Sequence, residues 1–89
     1  MKSYNYYMKI AKKVTAIAER VEHNYDISIN CYHTSGNGEP FITVTVEHED
    51  RYVHFTFYDF RTKAQHKEML AALETYLRTG EVVSPAELY

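Results

Sequence analysis

One cysteine and five histidines are the side chains of this sequence best suited to metal binding or nucleophilic catalysis. Cys31 and His33 lie two residues apart in a segment with the alternating pattern of a β-strand, so both side chains would point the same way. Pairing with the next strand could add His48 at the rim of a sheet. A metal site needs three or four converging ligands, and a nucleophile needs a base within hydrogen-bond distance. No such set is evident, so we expect no metal, no cofactor and no catalytic residues.

Two other features that could carry chemistry have simpler structural explanations. Cys31 is in phase with Ile27 and Ile29, and a free cysteine on an apolar face usually packs as a small hydrophobe, so we expect it to be buried. The glycines at 36 and 38 lead into a strand, whereas a phosphate-binding loop leads into a helix. We therefore expect that the protein is not an enzyme.

The composition indicates one small domain. Of 89 residues, 45% are hydrophobic, and nine Tyr and four Phe allow an aromatic core in so short a chain. The single cysteine excludes a disulfide within the chain and indicates a reducing compartment. The sequence shows neither a signal-peptide pattern nor a membrane-spanning run, which predicts a cytoplasmic location. The net charge of −2 argues against a general polyanion binder.

Helical periodicity is clearest at the two ends of the sequence. The first helix is expected over residues 5–23, with Ser3 or Asn5 as its N-cap and Asn24 ending it in the left-handed conformation. Its apolar positions fall on one stripe: Tyr7, Ile10, Ala11, Val14, Ile17, Ala18 and Val21.

The second helix is expected over residues 63–78. A capping box over residues 62–65 starts it, and Gly80 follows its end. These boundaries predict a single domain over residues 1–80 and a C-terminal tail over residues 81–89, in which one further helical turn could form.

Three strands are expected between the helices, over residues 25–34, 41–48 and 51–58. A two-residue turn at Glu49-Asp50 would align the last two strands with their apolar side chains on one face, although Glu-Asp is a weak turn sequence and a longer loop stays open. The inward pairs would be Val46 with Val53, Val44 with Phe55, and Ile42 with Phe57.

These elements predict an α+β fold of order α-β-β-β-α. Two amphipathic helices and one apolar sheet face are best satisfied by a two-layer sandwich, with both helices on the same face of a three-stranded antiparallel sheet. The opposite face would stay open and polar. It would carry Ser28, Asn30, Tyr32, Thr43, Thr45, Tyr52, His54, Thr56 and Tyr58.

This open face is the predicted binding surface. Tyrosines and hydroxyls offer large contact areas with few flexible torsions. We predict partner contacts from the face and from an acidic hairpin tip, through Tyr32, Thr45, Tyr52, His54, Tyr58, Glu47, Glu49 and Asp50. The alternatives are a plain solvated sheet and a homodimer formed through the same face.

The element order over residues 7–77 is similar to that of the double-stranded-RNA-binding domain. That family contacts A-form RNA through its first helix, the loop between its first two strands and the start of its last helix. The resemblance implies, as an alternative function, that nucleic acid binds to the corresponding basic residues, Lys9, Lys12, Lys13, Lys63 and Lys67, with the loop at residues 36–40.

In size and layout the chain also resembles small proteins of phages and mobile elements, some of which inhibit CRISPR nucleases by occupying the nucleic-acid site. This resemblance implies a role for acidic side chains, here Glu39, Glu47, Glu49, Asp50 and Asp59. We therefore predict a small non-enzymatic protein that binds a macromolecular partner, with a protein favoured over nucleic acid. Inhibition of a nucleic-acid enzyme is the most specific form of this hypothesis.

Overall fold

A computed structural model describes residues 2–32 and 40–82, and it confirms the predicted α+β fold. Along the chain come the helix α1, three antiparallel strands and the helix α2, and the sheet order is β1-β2-β3. Their bounds are α1 Tyr4–Arg20, β1 Asp26–Tyr32, β2 Phe41–His48, β3 Arg51–Tyr58 and α2 Lys63–Thr79.

The start and the buried stripe of α1 follow the prediction, but its end does not. Ser3 caps the helix, since its Oγ accepts a hydrogen bond from the backbone N–H of Tyr6 at 3.1 Å. The helix ends at Arg20, three residues early, because Val21 turns to an extended conformation and enters the core. Asn24, the predicted left-handed terminator, has no positive φ.

A histidine side chain takes the place of that terminator. The ring of His23 donates a hydrogen bond from Nε2 to the carbonyl of Ala18 at 3.1 Å and accepts one at Nδ1 from the N–H of Tyr25, also at 3.1 Å. The ring therefore satisfies a free carbonyl at the end of α1 and fixes the path of the chain into β1.

The β2–β3 hairpin forms in the predicted register. Val46 lies opposite Val53, and the two residues between the strands, Glu49 and Asp50, have φ values of 48° and 66°. Two left-handed residues form the tight turn that matches the twist of a hairpin, although Asn-Gly adopts it at lower cost. Core burial explains why the register holds despite a weak turn sequence, since a one-residue slip would expose the apolar pairs.

Both ends of α2 match the sequence signals. Thr62 Oγ1 accepts a hydrogen bond from the N–H of Gln65, and Gln65 Oε1 accepts one from the N–H of Thr62, which completes the capping box. The helix ends at Thr79, one residue later than predicted, and Gly80 follows with φ 76°.

The helices lie side by side and parallel on one face of the sheet. Tyr6 meets His66 at their N-terminal ends, and Arg20 forms an ion pair with Glu74 at their C-terminal ends. α1 packs against β2, and α2 packs against β3. The core they close consists of Tyr7, Ile10, Val14, Ile17, Val21, Ile42, Val44, Val46, Phe55, Phe57, Met69, Leu70, Ala72, Leu73, Tyr76 and Leu77.

The edge strand β1 is covered less than the other two. On its apolar side Ile27 and Ile29 are half-buried, and Cys31 is exposed. The prediction that Cys31 is buried is therefore wrong, because the groove that α1 forms with β1 includes Ile27 and Ile29 but not Cys31.

Candidate functional site

The outer face of the sheet is open, and its polar side chains form cross-strand pairs between β2 and β3. Thr45 Oγ1 lies 3.0 Å from His54 Nδ1, and the hydroxyl of Tyr52 donates to Glu47 Oε1 at 3.3 Å. Tyr52 and His54 are exposed, whereas Thr45 is half-buried between its neighbours. These cross-strand pairs restrict the side-chain rotamers of His54 and Tyr52 on the outer face.

A cluster of rings lies at one end of this face, and we call it the aromatic corner: Phe41, Tyr58, Phe60 and Arg61. The ring of Tyr58 lies 5.6 Å from that of Phe41 and stacks on Phe60 at 5.0 Å with an interplanar angle of 20°. The Arg61 guanidinium lies 4.8 Å from the centroid of Phe60. Phe60 is 64% exposed although it is a large apolar side chain. Exposed aromatic rings beside an arginine are enriched at protein contact sites.

Phe60 was not among the predicted contact residues because it follows β3 in the turn to α2. A signal was present, since Thr56, Tyr58 and Phe60 continue the same two-residue alternation past the end of the strand. The stack on Tyr58 shows that this phase carries on into the turn.

The predicted contact residues are spread over three zones of the face. Tyr58 belongs to the aromatic corner, and Tyr32 lies at the same end, since it pairs with Phe41 in the backbone register. Thr45 and His54 occupy the middle. Tyr52 lies with Glu47 at the opposite end, next to the hairpin tip.

The hairpin tip is an exposed acidic patch next to a histidine. Glu49 and Asp50 are both exposed, and Glu49 Oε1 lies 3.8 Å from Nε2 of His48. The ring of His48 packs edge-on against Tyr25 at 5.3 Å. The tip and the aromatic corner therefore lie at opposite ends of the sheet.

The lysines of the nucleic-acid alternative lie on both flanks of α1 and on α2. Lys13 lines a groove between the helices with Arg20 and Glu74, whereas Lys12 lines a different groove on the other flank of α1. Lys63 lies over the ring of Tyr6, 5.2 Å from its centroid. Lys9 and Lys67 are exposed on α1 and α2, and the loop at residues 36–40 lies outside the described residues except for Pro40.

The chemistry considered for Cys31 finds no support in the geometry. Cys31 pairs with Ile42, whereas His48 lies at the other end of β2, beside Tyr25. The register therefore contradicts the idea that strand pairing brings the Cys31 end of β1 to His48, and His33 itself lies outside the described residues. Within the described parts of the chain, no three His, Cys, Asp or Glu side chains converge on a metal position.

A buried polar cluster joins the N-terminal segment to the turn after β3. Asp59 is 8% exposed, and its Oδ1 accepts hydrogen bonds from the Tyr7 hydroxyl at 2.5 Å and from the Lys2 backbone N–H at 2.9 Å. Lys2 Nζ donates to the carbonyls of Asp59 and Arg61, both at 2.6 Å. Asp59, proposed by analogy as a surface acid, is therefore unavailable to a partner.

Burial alone would raise the pKa of Asp59, but the hydrogen bonds from Tyr7 and Lys2 and the charge of Lys2 lower that pKa overall. The carboxylate is held in its ionised form. It acts as a structural anchor for Lys2 and Tyr7.

His66 extends the cluster and is 2% exposed. Its Nε2 donates to the carbonyl of Tyr58 at 2.8 Å, and its Nδ1 accepts from the hydroxyl of Tyr6 at 2.7 Å, so the neutral ring uses both nitrogens. Burial lowers the pKa of His66, the charge of Lys2 adds to this effect, and the Tyr58 carbonyl and Asp59 oppose it. Burial also raises the pKa of Tyr6, assisted by the charge of Asp59. Perturbed groups can mark an active site, but these partners are mutually satisfied, which fits a structural role.

Comparison of the chain with protein families, curated proteins and solved structures gave no match. Neither described helix is long and apolar enough to cross a membrane.

Proposed function

We propose that this protein is a non-enzymatic interaction domain that binds a protein partner through the open face of its sheet. The aromatic corner is the observation that carries the proposal. The ring of Phe60 is exposed and does not belong to the core. Its stack on Tyr58 and its contact with the Arg61 guanidinium orient the ring. Fixed aromatic and arginine side chains lose little entropy on binding and dominate the energetics of many protein interfaces.

The hairpin tip supports a more specific form of this proposal. Glu49 and Asp50 project at the far end of the same face, where they could meet a basic surface such as the nucleic-acid site of an enzyme. Inhibition of a nucleic-acid enzyme is the corresponding hypothesis. Replacing both acids by Lys should then abolish inhibition and leave the fold unchanged, whereas unchanged inhibition would contradict the role of the tip.

The experiment compares capture of proteins from a nuclease-treated bacterial lysate by three tagged chains. One is the native chain, one carries Phe60→Ala with Tyr58→Ala, and one carries Tyr4→Ala. Tyr4 is a control of similar exposure because it is 71% exposed and belongs to α1, not to the sheet. A specific protein captured by the native and Tyr4→Ala chains but lost with the double variant supports the proposal.

Salt dependence separates protein binding from the nucleic-acid alternative. Contacts between lysines and phosphates weaken steeply with salt, by about 0.9 in the log–log slope for each phosphate neutralised on duplex DNA. Binding through the aromatic corner should change little over the same range. Binding of duplex RNA or DNA with a steep slope, unaffected by the double variant, would overturn the proposal.

A further inference from the structure

The free edge of β1 and the groove above it form a second surface, distinct from the open face of the sheet. Among residues 2–32 and 40–82, β1 has a neighbouring strand on one side only, so its other edge presents unpaired backbone groups. Above this edge lies a groove whose apolar part is formed by Val14 and Ala18 of α1 and by Ile27 and Ile29 of β1. Its remaining lining residues are Thr15, Glu19, His23 and Tyr25.

The adjacent flank of α1 continues this surface. Met8, Ala11 and Thr15 line it, with one cation, Lys12, and one anion, Glu19, two turns apart. A surface with one positive and one negative end is complementary to its own copy when the copy is turned around. Two such helices placed antiparallel would bring Lys12 of each copy to Glu19 of the other.

We propose that the occupant of this surface is a second copy of the chain, joined edge to edge through β1 in an antiparallel, two-fold symmetric dimer. In an antiparallel pair, directly opposite residues point to the same side of the sheet. One residue of β1 must therefore lie opposite the same residue of the second copy, with the two-fold axis between them. Centring it on Ile29 pairs all seven residues of β1. Ile29 then faces its own copy, and Ile27 faces Cys31 of the second chain.

The helix register is compatible with this strand register. α1 runs antiparallel to β1, because a short connection leads from the end of one to the start of the other. Ile27 and Ile29 are about 6.6 Å apart along the strand, and four helical residues rise about 6 Å. If Ala18 lies over Ile27, then Val14 and Thr15 lie over Ile29 in the groove.

The same two-fold axis therefore passes near Thr15, and the midpoint between Lys12 and Glu19 lies there. Neighbouring strands are about 4.8 Å apart, so the axis runs about 2.4 Å outside β1. α1 contacts β2 and also lines the groove over β1. With α1 midway between these two strands, the two α1 axes would be about 10 Å apart, so the helices would come side by side above the two-fold axis. This arrangement would give the free edge of β1 a hydrogen-bonded neighbour and cover Ile27 and Ile29. It would also pair Lys12 of each copy with Glu19 of the other.

The dimer differs from the homodimer predicted from the sequence, which used the open face. Pairing through β1 leaves that face free and joins two copies of it into one continuous sheet of six strands. A partner with two matching sites would then bind with increased avidity.

Sedimentation equilibrium of the native chain tests the dimer, together with cross-linking of single-cysteine variants. In a Cys31→Ser background, Ile29→Cys places two thiols opposite each other at a Cα separation of about 4.5–5.5 Å, within the disulfide range. His54→Cys is the matched control, since it lies exposed on the other edge strand, β3. We expect a dimer and an intermolecular disulfide from Ile29→Cys only. A monomer at several hundred micromolar (order of magnitude, set by the weak end of specific association), or a cross-link from His54→Cys only, would overturn the proposal.

Charge exchange gives a second test that does not depend on a buried position. Lys12→Glu and Glu19→Lys each replace two attractive contacts by two repulsive ones, which should raise the dimer dissociation constant roughly tenfold. The double variant exchanges the charges and should restore the native value. Single and double variants with equal dissociation constants would contradict the proposed register.

Discussion

Replacement of Asp59 by Asn tests the buried anchor most directly. Asn keeps the shape of the side chain and one acceptor oxygen, but it removes the negative charge that faces Lys2 and the Tyr7 hydroxyl. Charge-assisted hydrogen bonds contribute about 1.5–3 kcal/mol each, and an Asn amide can replace part of this contribution. We expect Asp59→Asn to lower the free energy of unfolding by about 2 kcal/mol.

Asp59→Ala should cost more, about 3–4 kcal/mol, because the Tyr7 hydroxyl would stay buried without an acceptor. A domain of this size has a stability of roughly 4–13 kcal/mol, so either loss is a large fraction of the total. The assay is urea unfolding at pH 7, followed by far-UV circular dichroism, since the chain has no Trp.

Tyr7→Phe provides the control through a double-mutant cycle with Asp59→Asn. If the two groups interact as described, the double variant should be less destabilised than the sum of the single ones. A loss below 0.5 kcal/mol (approximate, the usual range for surface substitutions) for Asp59→Asn, or strict additivity in the cycle, would refute the anchor.

Three further predictions concern local features. Replacing Glu49-Asp50 by Asn-Gly should raise the free energy of unfolding by about 1–2 kcal/mol, because both positions have positive φ, and a urea titration checks this. His66 has a folded-state pKa below its unfolded value of about 6.5, so its contribution to stability is complete above that pH and is lost as the pH falls toward the folded pKa. Thermal melts from pH 7.5 to 4.5 should therefore show a decline in the melting temperature that a His66→Gln variant lacks, and equal slopes would contradict this. His23→Ala should lower the free energy of unfolding by about 1 kcal/mol through loss of the ring that caps α1, and a stability equal to the native one would show that the ring is dispensable.

The sequence predicted the parts of the fold that depend on local signals or on strict alternation. The register of the hairpin follows from apolar pairs such as Val44 with Phe55, and a shift by one residue would reverse both faces. The ends of α2 follow from Thr62 and Gly80, whose capping chemistry is local. The open outer face follows in turn from the placement of both helices on the apolar face.

The wrong predictions concern features of the fold that depend on tertiary contacts. The end of α1 depends on Val21 entering the core and on the ring of His23, and neither contact is visible in helical periodicity. Burial of Asp59 depends on Lys2 and Tyr7, which lie more than 50 residues away in the sequence.

The exposure of Cys31 also escaped prediction. An alternating pattern identifies the apolar side of a strand, but it cannot show how far a helix extends across that side. α1 forms a groove with Ile27 and Ile29 of β1, whereas Cys31 is exposed.

We propose that the open face binds a protein through its aromatic corner. The most direct measurement is the affinity of the captured partner for the native chain and for the single variants Phe60→Ala and Tyr4→Ala, at two salt concentrations. The account predicts a loss of tenfold or more (order of magnitude for an aromatic hot spot) for Phe60→Ala, none for Tyr4→Ala, and little dependence on salt. Equal affinities for the native chain and Phe60→Ala would contradict it.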